Sequence, residues 1–350
     1  MTEEIKLTKF SKGGGCGCKI APSVLQQIIK TNTASHFPGL LVGNESADDA
    51  AVYQINSDTA VVSTADFFMP VVDDPFQFGR IAAANAISDV YAMGGTPLMA
   101  IALLGWPADK IPVEAAQQVL EGGRSICAEA GIPLAGGHTI DALEPMFGLA
   151  VTGLVAIKHL KQNNKAQVGD AIFLTKPIGS GILTTAIKRG LLQPQHYEAM
   201  LKQLTTLNKI GAVLGTMPQV HAMTDVTGFG LLGHLLEMAE GSTLSAQLHY
   251  EHLKKFDGIG YYLQQRTQPG ATSRNWNSYG SHIQLENDIN MDEALGLLPD
   301  PQTNGGLLIA VALEGIAPVQ TVLSEAGLTE HLKPIGRFIE AGEKRIYVQP

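Results

Sequence analysis

One polar stretch, Lys158 to Gly169 ("KHLKQNNKAQVG"), interrupts an otherwise apolar chain and constrains the fold more than any other feature. Before it, Ala51–Ile55 and Ala60–Ala65 read as strands, rich in β-branched and small apolar residues. Pro75 to Met93 reads as a helix that starts on proline and stops at Gly94-Gly95. Pro97–Leu104 reads as a buried strand, and Pro112 to Ala130 as a second helix ended by Gly131. Ile132–Ala135 and Met146–Ile157 read as further strands. Beyond the polar stretch, Ala171–Thr175 reads as a strand and Gly181–Lys188 as a helix. Helices at His196–Leu214 and Leu231–Ala239 and strands near 219–223, 244–249, 306–312 and 344–349 complete that half. Residues 1–47 carry little pattern apart from an amphipathic run, Pro22 to Lys30. Neither half alternates strand and helix regularly, so the expected class is α+β in two domains, residues 1–157 and 158–350. A length of 350 residues agrees, at about 150 residues per domain.

Charge and cysteine content narrow the function. The net charge is −9 and no basic block stands out, which argues against nucleic acid as a partner. An acidic chain can still hold a nucleotide if its carboxylates carry metal ions. No apolar run reaches the roughly 18 residues of a membrane span, and Met1-Thr2-Glu3-Glu4 does not open a signal peptide. The three cysteines, Cys16, Cys18 and Cys127, are expected to be reduced thiols in the cytoplasm. Glycine is abundant, 38 residues against a usual share of about 7%, which suits tight turns and close approach of backbone to a ligand.

Four groups of residues carry chemistry. "GGGCGCK" (Gly13 to Lys19) places two thiols and a lysine in a glycine-rich loop. It is not a phosphate-binding P-loop, because Ile20 follows the lysine. The glycines imply mobility, and an ammonium near Cys16 favours a reactive thiolate. A disordered arm or a two-thiol metal site fits the same spacing, and spacing alone does not choose. Asp48-Asp49, Asp66, Asp89 and Asp225 sit at strand ends or, for Asp89, on a helix face shared with Asn85. In small, apolar surroundings such carboxylates need a partner charge, and Mg²⁺ takes oxygen ligands of this kind. "LAGGHTID" (Leu134 to Asp141) places Gly136-Gly137-His138 after a short strand, as a phosphate-facing turn or an ordinary one. Gly228-Phe229-Gly230-Leu231-Leu232-Gly233 matches a dinucleotide fingerprint, but no βαβ unit follows. It reads as a closely packed helix start, and Asp225 as a residue able to cap that helix.

Seven blocks, "GGGCGCK", "DDAAVY", "STADFFMPVVDDPFQFGRIAAANAISDVYAMGG", "AGGHTID", "TKPIGSGILTTA", "MTDVTGFGLLGH" and "DPQTNGGLL", occur in this order. Together they resemble the selenophosphate synthetases (selenide, water dikinases) from about residue 5 to the C-terminus. The wider superfamily includes aminoimidazole ribonucleotide synthetase, and the cysteine- and lysine-bearing glycine loop distinguishes the selenium enzymes within it. The resemblance implies a two-domain α+β aminoimidazole ribonucleotide synthetase-like fold, with N-terminal domains pairing into a β-barrel at a homodimer interface. It implies an N-terminal ATP- and Mg²⁺-binding domain with a mobile catalytic loop at residues 11–20. The implied reaction is ATP + selenide + water → selenophosphate + AMP + phosphate, supplying selenium for selenocysteine and selenouridine synthesis. By position, Cys16 and Lys19 are catalytic. Lys19, Ser46, Ala47, Asp48, Asp66, Asp89, Gly137, His138 and Thr139 contact the nucleotide, and Asp49, Asp89 and Asp225 bind Mg²⁺. A selenium-donor protein is a further implied partner. Two other classes compete: a small-metabolite kinase of the superfamily, with Cys16 incidental, and a selenium carrier that needs no ATP.

Overall fold

The computed structural model describes residues 5–11, 13–20, 22–29, 37–44 and 48–350. In the first half, α1 (Pro22–Ile29) precedes β1 (Leu40–Val42), β2 (Ala51–Gln54), β3 (Thr59–Phe68) and α2 (Pro75–Ala92). Next come β4 (Thr96–Trp106), α3 (Val113–Ala130), β5 (Leu134–Asp141) and β6 (Met146–Ala156). The strands form a six-stranded sheet in the order β1-β2-β3-β6-β4-β5. Its pairs are antiparallel except β4 with β5.

The helix α2 organises this half. Asp74 caps its start by accepting a hydrogen bond from the Gln77 amide at 2.7 Å, with Pro75 in the first turn, where proline costs no hydrogen bond. Almost its whole circumference is buried, as expected of a helix apolar on every side. It packs against α3 through glycine. A methyl group on Gly79 would collide with the Val119 carbonyl, and one on Gly122 with that of Phe76. On the sheet, Ala60, Val62 and Phe68 of β3 are buried. The opposite face leaves Tyr53, Phe67, Met99 and Ile101 exposed.

The second half runs β7 (Ala171–Leu174), α4 (Ser180–Lys188), α5 (Pro194–Thr205), α6 (Ile210–Gly215), β8 (Val220–Asp225), α7 (Gly230–Gly241) and β9 (Ser245–His249). It continues with α8 (Ile259–Gln264), α9 (Gly270–Tyr279), β10 (Ile283–Leu285), α10 (Met291–Leu297), β11 (Leu307–Val311), α11 (Ile316–Glu325), β12 (Gly336–Ile339) and β13 (Ile346–Gln349). The seven-stranded mixed sheet has the order β10-β13-β9-β12-β7-β11-β8. Every residue of β7 and β11 is buried, so these strands read as unbroken apolar runs rather than alternating ones. Among the described residues no helix is long and apolar enough to cross a membrane.

Two expectations need correction. The single helix expected over His196–Leu214 is two helices, α5 and α6. Between them Asn208 turns inward, and its amide donates to Ser88 Oγ at 2.7 Å and to the Gly305 carbonyl at 2.9 Å. Gly136-Gly137-His138 do not follow a strand but lie inside β5, which runs on to Asp141.

The two halves close on each other at the C-terminal end of α2. A side chain on Gly215 would come within 2.7 Å of the Gly94 Cα, so the backbones approach as only glycines permit. The buried Lys161 ammonium ties the connection down, donating to the carbonyls of Met217 (3.0 Å) and Val220 (2.7 Å). This closure brings the last turns of α2 under β8.

Candidate active site

Pleat and helix periodicity deliver the acids to one place. In β3, Thr64 and Asp66 share the pleat face that meets α2. On α2, Asn85 and Asp89 stand one turn apart and face them. The Asn85 amide donates to Asp66 Oδ2 at 2.6 Å, and Thr64 Oγ1 donates to Asp89 Oδ2 at 2.5 Å. Asp225 closes β8 and accepts from Ser88 Oγ at 2.5 Å. Asp49 precedes β2 and accepts from Thr224 Oγ1 at 2.8 Å through Oδ1. Asp49, Asp89 and Asp225 each offer a carboxylate oxygen, and these atoms lie within 4.8 Å of one another.

Three carboxylates this close raise one another's proton affinity. Burial, then the charges of Asp225, Asp89 and Asp48, hold the Asp49 carboxyl well above the usual range. Burial followed by Asp225 and Asp66 does the same at Asp89, against the opposing charge of Lys19. Asp225 is raised chiefly by burial, with Ser88, His234 and Lys19 pulling the other way. The Lys19 ammonium sits 3.6 Å from Asp66 Oδ2 at the edge of the cluster, its side chain 40% exposed. Asp49 Oδ2 is buried and accepts no hydrogen bond among the described residues. A buried acceptor without a donor, beside two more carboxylates, fits a hard divalent cation with oxygen ligands.

The glycine loop lies against both halves. Gly15–Cys18 forms one 3-10 turn, entered through Gly15 at φ +57°, whose amide donates to the Met69 carbonyl at 2.9 Å. A methyl on Gly15 would collide with Thr303 and Val71. Lys188 donates to the Ser11 carbonyl, and Arg274 to that of Gly17 at 3.1 Å. Burial pushes the Cys18 thiol up, opposed by the Met69 backbone bond and by Lys188 and Arg274. The backbone of Cys16 is in the turn; its side chain, and all of Ser46 and Ala47, lie outside the described residues. Asp48 accepts from the Asn163 amide at 2.7 Å.

The other expected nucleotide contacts stand apart. Gly137, His138 and Thr139 lie exposed on β5, separated from β3 by β6 and β4. Within one chain they are not brought to the acids.

Asp225 does not cap α7: its carboxylate turns to Ser88, and α7 begins at Gly230 with φ +73°. The fingerprint-like glycines are a closely packed helix start, with the Gly228 carbonyl held by Asn275 at 2.9 Å.

The residues that position the acids escaped sequence reasoning. Thr64, Ser88, Thr224 and Asn208 look like ordinary polar residues, and nothing local marks them. The "DPQTNGGLL" block was the available signal. Asp300 Oδ2 accepts from the amides of Gly181 (3.0 Å) and Ile182 (3.2 Å), and Gln302 Oε1 from those of Gly179 and Ser180, so together they cap α4. Asn304, at φ +46°, donates its amide to Asn85 Oδ1 at 2.7 Å. This block therefore fixes the residue that fixes Asp66.

Two α+β domains closed over a partly buried carboxylate triad define an AIR synthase related protein. The family model for the N-terminal domain matches residues 47–155, and that for the C-terminal domain residues 167–349. Over 335 residues the chain is 56% identical to a selenide, water dikinase of Aeromonas hydrophila, covering 95% of each chain. Over 341 residues it is 55% identical to one of Pseudomonas putida, covering 97% of each. The hydrogenase maturation protein HypE solved in complex with ATP shares the fold, with TM-score 0.63, 16% identity, and coverage of 96% of this chain and 90% of that one. This chain belongs to the selenide, water dikinase family.

Proposed function

We propose that the chain catalyses ATP + selenide + water → selenophosphate + AMP + phosphate, with the carboxylate triad and the glycine loop as its two working parts. The observation that carries this reading is the triad with its orphaned Asp49 oxygen, set beside the Lys19–Asp66 pair. Asp49, Asp89 and Asp225 would hold Mg²⁺, which when bound neutralises phosphate charge and aligns ATP for in-line displacement. Thr64, Ser88 and Thr224 keep the three carboxylates aimed at that centre. Asp66 and Asp48, with Ser46 and Ala47, contact the nucleotide. Lys19 is held at 3.6 Å from Asp66, a weak and partly exposed pairing that it exchanges for phosphate oxygens. Cys16 is the thiolate that receives or shields selenide. The loop moves to admit substrates and closes to exclude bulk water while charge is transferred. Residues 1–157 form the ATP- and metal-binding domain, and 158–350 the second domain.

Two copies complete the site in this reading. The exposed apolar face of the first sheet, with Phe67, Met99 and Ile101, fits a second copy that closes the sheets into a barrel. Gly137, His138 and Thr139 then reach the nucleotide from the partner subunit, because β6 and β4 keep them from the acids of their own chain. The setting is the cytoplasm, where a donor protein can deliver selenium.

The test is anaerobic product analysis. ATP is incubated with the protein and Mg²⁺, with and without selenide, and AMP, ADP and selenophosphate are quantified. AMP and selenophosphate that appear only with selenide support the reading. ADP as the sole nucleotide product would replace it with a metabolite kinase, and no ATP turnover would leave a carrier.

A further inference from the structure

Beside the glycine loop lies a second cavity, about 360 Å³, walled by Gly14 and Gly17 on one side and by α4 and α9 on the other. Lys188 and Arg274 line it, with Thr185 and Gly270. Among the described residues, Lys19 is not part of its wall and no carboxylate lines it, in a chain whose net charge is −9. Its charge is thus opposite in sign to that of the triad.

Both cations are held in place by backbone carbonyls rather than by acids. Lys188 donates to Ser11 and Gly13, and Arg274 Nη2 to Gly17 at 3.1 Å. An ammonium has three donors and a guanidinium five, so beyond these bonds Lys188 keeps one N–H and Arg274 several for a ligand. The position of Arg274 is informative. It sits one turn into the ten-residue α9, and its Nη1 lies 3.3 Å from where a side chain on Gly270 would begin. The guanidinium thus folds back over the N-terminus of its own helix. That end of a helix carries partial positive charge, so the arrangement is unfavourable until an anion lies between. The donors are all N–H or O–H groups, which suit oxygen rather than soft selenium.

We propose that this cavity binds a tetrahedral phosphate-class oxyanion beside the glycine loop, at Lys188 and Arg274 rather than at Lys19 and the triad. Orthophosphate and selenophosphate share that chemistry, and naming them as the physiological ligands rests on the dikinase reading. In this role the loop carries Lys19 to the acidic cluster, where phosphoryl transfer is proposed, and borders with Gly14 and Gly17 a basic cavity that receives anionic products.

The test titrates inorganic phosphate into the full-length protein by calorimetry, without ATP or Mg²⁺ and at constant ionic strength. Arg274→Gln and Lys188→Gln are expected to weaken binding about tenfold or more each, the loss of a charge-assisted contact. Lys19→Gln is expected to leave it unchanged. Circular dichroism and thermal melting of each variant report whether it is folded. Loss of phosphate binding in Lys19→Gln with Arg274→Gln unaffected would move the anion to the ATP site and overturn the proposal. So would wild-type protein that binds no phosphate while forming AMP normally, which leaves the dikinase reading intact. Arginine-dependent phosphate binding in a protein that forms no AMP would instead sustain the site and remove the reaction. Phosphorus resonance broadening with orthophosphate and with selenophosphate, measured separately, shows which of the two the cavity retains.

Discussion

Around Asp49, Asp89 and Asp225 the stabilising contacts grip side chains; along Gly13 to Cys18 they grip the backbone. The carboxylates are gripped by Thr64, Ser88 and Thr224, and Ser88 in turn by Asn208. Donors come from both domains, so the cluster exists only when the two are closed together. The loop is held by the Met69 carbonyl, which accepts from the Gly15 amide, by Lys188 and Arg274, which donate to its Ser11 and Gly17 carbonyls, and by the absence of side chains at Gly14 and Gly15. A metal site profits from fixed ligands, since rigid geometry and preset charge need no reorganisation during the reaction. The proposed lid must leave and return, and contacts to the backbone of glycines order few of the loop's own side chains. On the proposed reading, the contrast separates a permanent electrostatic frame from a reversible closure.

Four substitutions and one metal titration can break that division or sharpen it. The largest effect is expected for Cys16→Ser. Selenide-dependent AMP formation should be lost, because a serine hydroxyl is scarcely ionised near neutral pH, while ATP binding measured by calorimetry survives. Full activity in this variant would end the case for a thiol in the lid. Asp225→Asn keeps the size of the side chain and removes one charge from the frame. ATP turnover should fall about 100- to 1,000-fold with a normal circular dichroism spectrum, and near-normal turnover at saturating Mg²⁺ would take Asp225 out of the metal site. Gly15→Ala forces a side chain into the left-handed region against Thr303 and Val71. Strain of about 1–3 kcal/mol should open the lid and lower turnover about tenfold, with the melting temperature little changed. An equal loss of global stability would mean that the loop is part of the frame.

The fourth test concerns charge in the frame. Asp49 and Asp89 titrate higher in the fold than in the unfolded chain. Between the ordinary carboxylate range, about pH 4, and those raised values, the folded protein therefore binds more protons. Stability without metal must then fall as pH rises through that window. The gain in melting temperature on adding Mg²⁺ after chelation should grow with pH, and in Asp225→Asn the growth should be smaller. A metal effect independent of pH would detach the cation from these carboxylates. The smallest effect is expected for Cys18→Ser, which should retain most activity in the same product assay. Equal loss in Cys16→Ser and Cys18→Ser would make the two thiols a pair.

Much of the fold was legible from local signals. Proline before and glycine after an apolar run placed α2 and α3 nearly to the residue, and polar Lys158 to Gly169 separated the two sheets. Periodicity also grouped Asn85 with Asp89 on one helix face. The short elements β1, β10, β12, α8 and α10 carried too few residues for a pattern to register. The break between α5 and α6 had no local mark, because Asn208 is turned inward by partners more than 90 positions away in the chain.

The sequence by itself determined the chemistry in hand: a thiol and an ammonium on a glycine arm, and acids set among small apolar neighbours. Their types and local spacing are written in consecutive residues, and they suffice to place the chain in its family. The family resemblance implied Asp49, Asp89 and Asp225 as one set, but only the tertiary structure brings the three carboxylates together. Asp49, Asp89 and Asp225 come from just ahead of one strand, a helix and the end of another strand, in both domains. Their mutual distance is fixed by α2 packing under β8, a contact between surfaces remote in sequence. The same packing set a basic cavity against the glycine loop of an acidic chain, because the sign of the field at a point depends on which side chains packing brings together.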